Sequence, residues 1–124
     1  LHVINRNDAP PFTTADGSTI RELLAHRNSC IANQSLAEAT LAPGQRTQAH
    51  FHPLCEEIYY ILQGTGRMAV DADVREVSVG DAIAIPPGAR HQILNTGEGD
   101  LVFLCCCAPA YEHADVVFVD PLIA

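Results

Sequence analysis

Residues 44 to 64 read Gly44-Gln45-Arg46-Thr47-Gln48-Ala49-His50-Phe51-His52-Pro53-Leu54-Cys55-Glu56-Glu57-Ile58-Tyr59-Tyr60-Ile61-Leu62-Gln63-Gly64. Thr47 to Phe51 and Ile58 to Gln63 are runs of strand length, parted at Pro53 and bounded by glycine. Working outward, the same beat recurs about every ten residues. Leu1 to Ile4, Gln34 to Leu41, Arg67 to Val70, Arg75 to Val79, Ala82 to Ile85, His91 to Leu94 and Leu101 to Cys107 are further short apolar runs. Turn chemistry separates them: Pro43-Gly44, Asp71-Ala72-Asp73, Gly80-Asp81, Pro86-Pro87-Gly88 and Asn95-Thr96-Gly97 supply fixed φ, permitted positive φ or side chains that bond their own backbone. The rhythm predicts an all-β sandwich or barrel. Ser18 to His26 fits a helix through Ile20, Leu23 and Leu24 and a strand through the alternation of Ile20, Glu22 and Leu24; its β surroundings favour the strand.

A chain of 124 residues has room for one hydrophobic core, so residues 1–124 are expected to form a single domain. Hydrophobic residues at 48% against 18% charged exclude a disordered chain. Fifteen acidic residues face seven Arg and no Lys, a formal charge of -8, and no run of Arg exists; nucleic acid is therefore not an expected partner. The longest apolar stretches, such as Leu101 to Ala108, fall well short of the roughly 20 residues that span a bilayer. No charged-then-apolar leader opens the sequence, and a cytoplasmic protein without a membrane partner is the expectation. The five Cys include three in a row, Cys105, Cys106 and Cys107, whose side chains alternate between faces of a strand; reduced thiols fit this better than a disulfide framework.

Ile58 to Leu62 is apolar on both faces, Tyr59 and Ile61 on one and Ile58, Tyr60 and Leu62 on the other. One face is expected to line a barrel interior, and the other to meet an outer sheet or a second subunit, which predicts a homodimer.

His50 and His52, at i and i+2 on a strand, leave the same face about 7 Å apart along the backbone and can converge on one ion. Glu57 opens the next strand and brings a carboxylate beside them. His91 opens another strand after the Pro-Pro-Gly turn. Three neutral imidazoles and one carboxylate make a site for a first-row divalent ion with positions left for water or substrate; iron, manganese, nickel, cobalt, zinc and copper all suit it.

The spacing resembles that of the cupin superfamily, whose first motif, G-x5-H-x-H-x4-E-x6-G, is filled by Gly44, His50, His52, Glu57 and Gly64. The second, G-x5-P-x-G-x2-H-x3-N, is filled by Gly80, Pro86, Gly88, His91 and Asn95. The resemblance implies a double-stranded β-helix, or jelly roll, with a metal inside the barrel held by His50, His52, Glu57 and His91. Glu56 competes for the carboxylate place, but the step to Gly64 counts from Glu57. A divalent ion with one ligating carboxylate keeps about +1, which favours an anionic substrate or a bound enolate.

Around these ligands, Gln48 shares the parity of His50 and His52 and is expected to point inward to substrate or a bound water. Tyr59 shares the parity of Glu57, which puts a phenol near the ion as an acid or base. Cys105 and Cys107 share one face of the last long strand and are expected to pack in the core, while Cys55 lies between the histidines and Glu57. Arg46 and Arg90 flank the ligand strands and are the candidate clamps for a substrate carboxylate. His2, His26 and His113 fit no motif, Asn95 is expected to tie a turn, and Tyr111 to Val119 to form an edge strand or pack across a dimer. The expected function is a metal-dependent enzyme acting on a small organic molecule, oxidoreductase or dioxygenase-like. A lyase or isomerase using the same metal and a non-catalytic small-molecule, sugar-binding or sensor module are the alternatives.

Overall fold

The computed structural model describes residues 1–124. Eleven strands follow one another: β1 Phe12–Thr13, β2 Thr19–Leu24, β3 Ser35–Leu41, β4 His50–Phe51, β5 Glu56–Gln63, β6 Thr65–Val70, β7 Asp73–Ser78, β8 Ala82–Ile85, β9 His91–Asn95, β10 Leu101–Ala108 and β11 Val117–Phe118. They form two sheets, β1-β2-β3-β10-β5-β8 and β11-β4-β9-β6-β7, in which all pairings are antiparallel. This is the double-stranded β-helix. Neighbours in space are seldom neighbours in sequence, as when β10 lies between β3 and β5.

Strand positions follow the alternation of the sequence. In β5, Glu57, Tyr59 and Ile61 are buried while Glu56, Ile58, Tyr60 and Leu62 are exposed, the period-2 pattern of a strand with one face on a core. Leu41 of β3, Ile61, Ile93 of β9, and Leu101 and Phe103 of β10 bury their side chains almost completely in one cluster between the sheets, each contributing roughly 1.5–3 kcal/mol. Ser18 to His26 resolves as β2, and Tyr111 to Val119 yields only the short β11, paired with β4.

Two expected strands differ. Leu1 to Ile4 forms none and lies largely exposed. The Thr47 to Phe51 run narrows to β4, because Thr47 bonds Ile93 through both backbone and hydroxyl while the Gln48 amide turns to Asp16 O at 2.7 Å. Residues 47 to 49 therefore leave the regular ladder, and strand parity no longer decides which way their side chains point.

Two glycines earn their motif places by geometry. A Cβ on Gly64, at φ +86°, would lie 2.7 Å from Asp100 O, closer than any side chain tolerates. Gly88, at φ +80°, lets its amide donate to His52 O at 2.8 Å, so the turn of the second motif is hydrogen-bonded to a histidine of the first. Asn95 ties its own turn, donating to Leu41 O and Gly99 O and accepting from the Gly97 amide. No helix is long and apolar enough to cross a membrane.

Candidate metal centre

β4 and β9 place His50 directly opposite His91, and His52 follows one residue beyond β4. The three rings lie with centroids 4.3 to 5.4 Å apart, and one nitrogen from each falls within 4.8 Å of the others. All three side chains are buried. Their Nδ1 atoms are already committed: His50 to Gln48 O at 2.8 Å, His52 to Asp115 O at 2.9 Å and His91 to Ala89 O at 3.0 Å. A carbonyl only accepts, so each Nδ1 carries a proton, and each ring in its neutral form has its Nε2 lone pair free, the arrangement that prepares imidazole for a metal.

Glu57 enters from the other sheet. Its Oε1 stands 3.3 Å from His52 Nε2 and 3.4 Å from His91 Nε2, and its Oε2 accepts from Cys107 Sγ at 3.1 Å. Oε1 and His91 Nε2 are both buried and make no hydrogen bond. Two acceptors facing each other in a dry interior each forfeit about 1–3 kcal/mol, and a cation between them relieves both. The donor set thus fits a divalent transition-metal ion, with His50, His52, His91 and Glu57 as the residues that would hold it. Glu56 is exposed and outside the cluster.

Without metal, the same proximity is settled by protons. Burial acts against the charged form of His52, but Glu57 overcomes it and pushes the imidazole up to about 9. Burial likewise opposes ionisation of Glu57, yet His52 and His91 hold it down at about 2. Burial, then His91, push His50 below its ordinary value. Burial in particular, with the Glu57 charge behind it, raises Tyr59 well above 10.

A cavity opens beside the ligands, and Tyr59, Phe103, Cys105, Cys107, Phe12 and Tyr111 are among the residues that line it. Its interior, open on one side, measures about 60 Å³, room for roughly four to six waters at about 10–15 Å³ each. The Tyr59 ring stands 5.9 Å from that of His91 and 4.6 Å from that of Phe103. Cys105 faces this space and Cys106 the opposite side of β10. Cys55 is buried, donates to Glu56 O at 3.0 Å and is pushed down by its hydrogen bond with Cys107.

Three expected neighbours lie elsewhere. Gln48 is exposed in an outer groove with Asp16 and Arg46; it serves His50 through its carbonyl and not its amide, since the irregular chain before β4 turns its side chain away. Arg46 reaches out to Ile123 O at 2.8 Å. The Arg90 guanidinium sits 6.0 Å above the Phe51 ring, so neither arginine lines the cavity.

Asp115 is the site residue that sequence reading misses. Its carbonyl fixes His52, and its two carboxylate oxygens accept from the Leu54 and Cys55 amides at 3.0 Å each. It clamps the loop that joins the histidine pair to Glu57. Nothing in the local sequence signals this, because the partners lie some sixty positions upstream. Asp115→Ala keeps the carbonyl that holds His52 but removes both carboxylate contacts to the loop before Glu57; metal binding is expected to weaken by about tenfold, the lower end of what a loosened ligand support costs, with a changed visible spectrum of the cobalt-loaded protein, and an unchanged affinity by chelator competition would refute the clamp.

Two antiparallel sheets closing around three inward imidazoles define a β-barrel with a candidate metal centre. A family model described as a cupin domain matches residues 37–107, and the chain belongs to the cupin family. An uncharacterized protein of Methanocaldococcus jannaschii, MJ1618, is 46% identical over 110 residues, covering 89% of this chain and 88% of that one. Among solved structures, the polyketide cyclase RemF of Streptomyces resistomycificus superposes with a TM-score of 0.83 at 24% identity, covering 98% of this chain and 87% of its own; at that identity the likeness is one of fold. A predicted oxalate decarboxylase of Thermotoga maritima matches with a TM-score of 0.78 at 26% identity, over 87% of this chain and 99% of that one.

Proposed function

We propose that the chain is one cupin domain over residues 1–124 and a metal-dependent enzyme that transforms a small organic molecule, of the oxidoreductase type. One observation carries the reading: His50, His52 and Glu57 line a cavity that continues past them to Tyr59 and Phe103, so the histidine cluster borders open space and is not enclosed by protein on every side. A metal wanted only as a staple is closed off by protein groups, whereas a working one keeps a face open. A bound divalent ion supplies Lewis acidity there and, if redox-active, electrons. The protein's own part is to fix ring orientation through the three carbonyls, exclude bulk water with Phe103 and Tyr111, and hold a proton on Tyr59. That phenol, kept neutral by burial, can donate a hydrogen bond to a bound molecule. This favours a second reading, lyase or isomerase chemistry with Tyr59 as hydrogen-bond donor.

Elemental analysis of protein purified without added metal comes first. Anaerobic loading with ferrous ion and an oxygen electrode, over small diketones, phenols and keto acids, then separates the readings. Oxygen consumption matched to product supports oxidation. Turnover without uptake supports the second reading, and a ligand recovered unchanged with manganese, nickel and zinc as well would make the protein a binding module.

The outer face of the six-stranded sheet is proposed to be covered by a second copy of the chain. Ala84, Ile58, Cys106 and Leu36 lie in one cross-strand row and Ala82, Tyr60 and Leu104 in the next, with Ile58, Tyr60 and Leu62 exposed by 50, 42 and 42%. A self-complementary apolar face is what a two-fold dimer buries. Light scattering is expected to give twice the monomer mass, and Tyr60→Glu to halve it; a monomeric wild type would refute the interface.

A further inference from the structure

The charges around the cavity say what kind of molecule it accepts, and this inference rests on the metal reading above. Its wall carries three carboxylates, Asp16, Glu22 and Glu57, and no Arg or Lys. Two of the three are spoken for. Glu57 belongs to the histidines, and Glu22 is held by Arg27 through contacts of 3.1 and 3.2 Å.

Asp16 is different. Its Oδ1 accepts from Thr14 Oγ1, from the Ser18 amide at 2.9 Å and from Ser18 Oγ at 2.6 Å, while Oδ2 takes no protein donor. Three donors on one oxygen lock the carboxylate in place, and it stands half-buried on the rim, lining both the cavity and the outer groove. A fixed carboxylate with a free oxygen is a preorganised acceptor. Phe12, Tyr59, Phe103 and Tyr111 give the same space aromatic walls.

We propose that Asp16 is the recognition residue of this cavity, accepting a hydrogen bond from a neutral, hydroxyl-bearing planar molecule, a phenol or enol, whose other oxygen faces the histidine cluster. The charges leave little else. A dicarboxylate meets Asp16 with no Arg or Lys to balance its second charge, and an organic cation meets the divalent ion. A neutral molecule with a donor at one end and an oxygen at the other satisfies both.

The test uses resorcinol, phenol and oxalate as probes, titrated calorimetrically into zinc-loaded and metal-free protein. Resorcinol, with one hydroxyl for each end, is expected to bind about tenfold tighter than phenol, the gain of one hydrogen bond to a charged group, and oxalate more weakly than resorcinol. Asp16→Asn keeps an amide oxygen for the three turn donors and removes the charge. The resorcinol advantage should then fall to about twofold or less and oxalate should bind the zinc form more tightly, with the thermal midpoint reporting an intact fold. Resorcinol no tighter than phenol in the wild type, an advantage that survives Asp16→Asn, oxalate as the tightest wild-type ligand, or no binding at millimolar concentration would each overturn the proposal. Failure to take up zinc ends the metal reading alone, because the resorcinol-to-phenol ratio is also read on the metal-free protein.

Discussion

His91→Ala is expected to lower metal affinity on the order of a thousandfold, beyond the roughly 10–100-fold that loss of an outer partner costs. His91 is fully buried, lies opposite His50 in the ladder, and supplies one of the two buried atoms that no protein group satisfies. Alanine there removes an imidazole from the set of three and leaves Glu57 Oε1 with His52 alone, so the remaining donors no longer surround an ion. Competition against a chelator of known affinity measures the loss, with circular dichroism to show that the sheets persist. Arg90→Ala, one residue away and exposed, is the control and should leave affinity unchanged. Wild-type stoichiometry and affinity in His91→Ala would mean that the histidine cluster is not where metal binds.

What the sequence made legible is what strand periodicity and turn chemistry control. The strand at His91 to Leu94, the all-β character and the inward parity of Tyr59 and Ile61 depend on local alternation, and the structure places them so. Gln48 shows where local rules stop. Parity holds only while the chain stays in a ladder; Thr47 still bonds Ile93 of β9, but the Gln48 amide leaves that strand for Asp16 O. Asp115 and Asp16 were hidden for a related reason. Each gains its role from partners brought in by tertiary folding, the first from the loop before Glu57 and the second from its place on the cavity rim, and a lone Asp in a turn looks the same whether or not it borders a pocket. The arginines misled in the opposite sense. Arg90, next to His91, faces outward by strand alternation, whereas Arg46, which shares the parity of His50, is separated from β4 by the irregular residues 47 to 49 and reaches Ile123 O instead.

The metal-free protein is expected to be most stable near pH 6 to 7 and to lose about 2–3 kcal/mol by pH 9.5. His52 is raised to about 9 in the fold. Its contribution is therefore complete below its ordinary value of about 6.5 and disappears as pH climbs through about 9. Glu57, held at about 2, stabilises above its ordinary range and ceases to do so only as pH falls through about 2. His50 limits the acid side sooner. Burial lowers it, so the folded protein favours its neutral form and gives up stability as pH drops below about 6.5, where the unfolded chain takes the proton. Metal loading must displace the proton that His52 holds at neutral pH. Calorimetry in two buffers of different ionisation enthalpy should find about one proton released per ion at pH 7 and only about a quarter of one at pH 9.5. Glu57→Gln removes the charge that raises His52, leaving burial to push it below its ordinary value. The proton release should vanish in that variant and the decline in stability toward pH 9.5 should flatten, while a wild-type protein that binds metal at pH 7 without releasing a proton would contradict the buried His52–Glu57 pair.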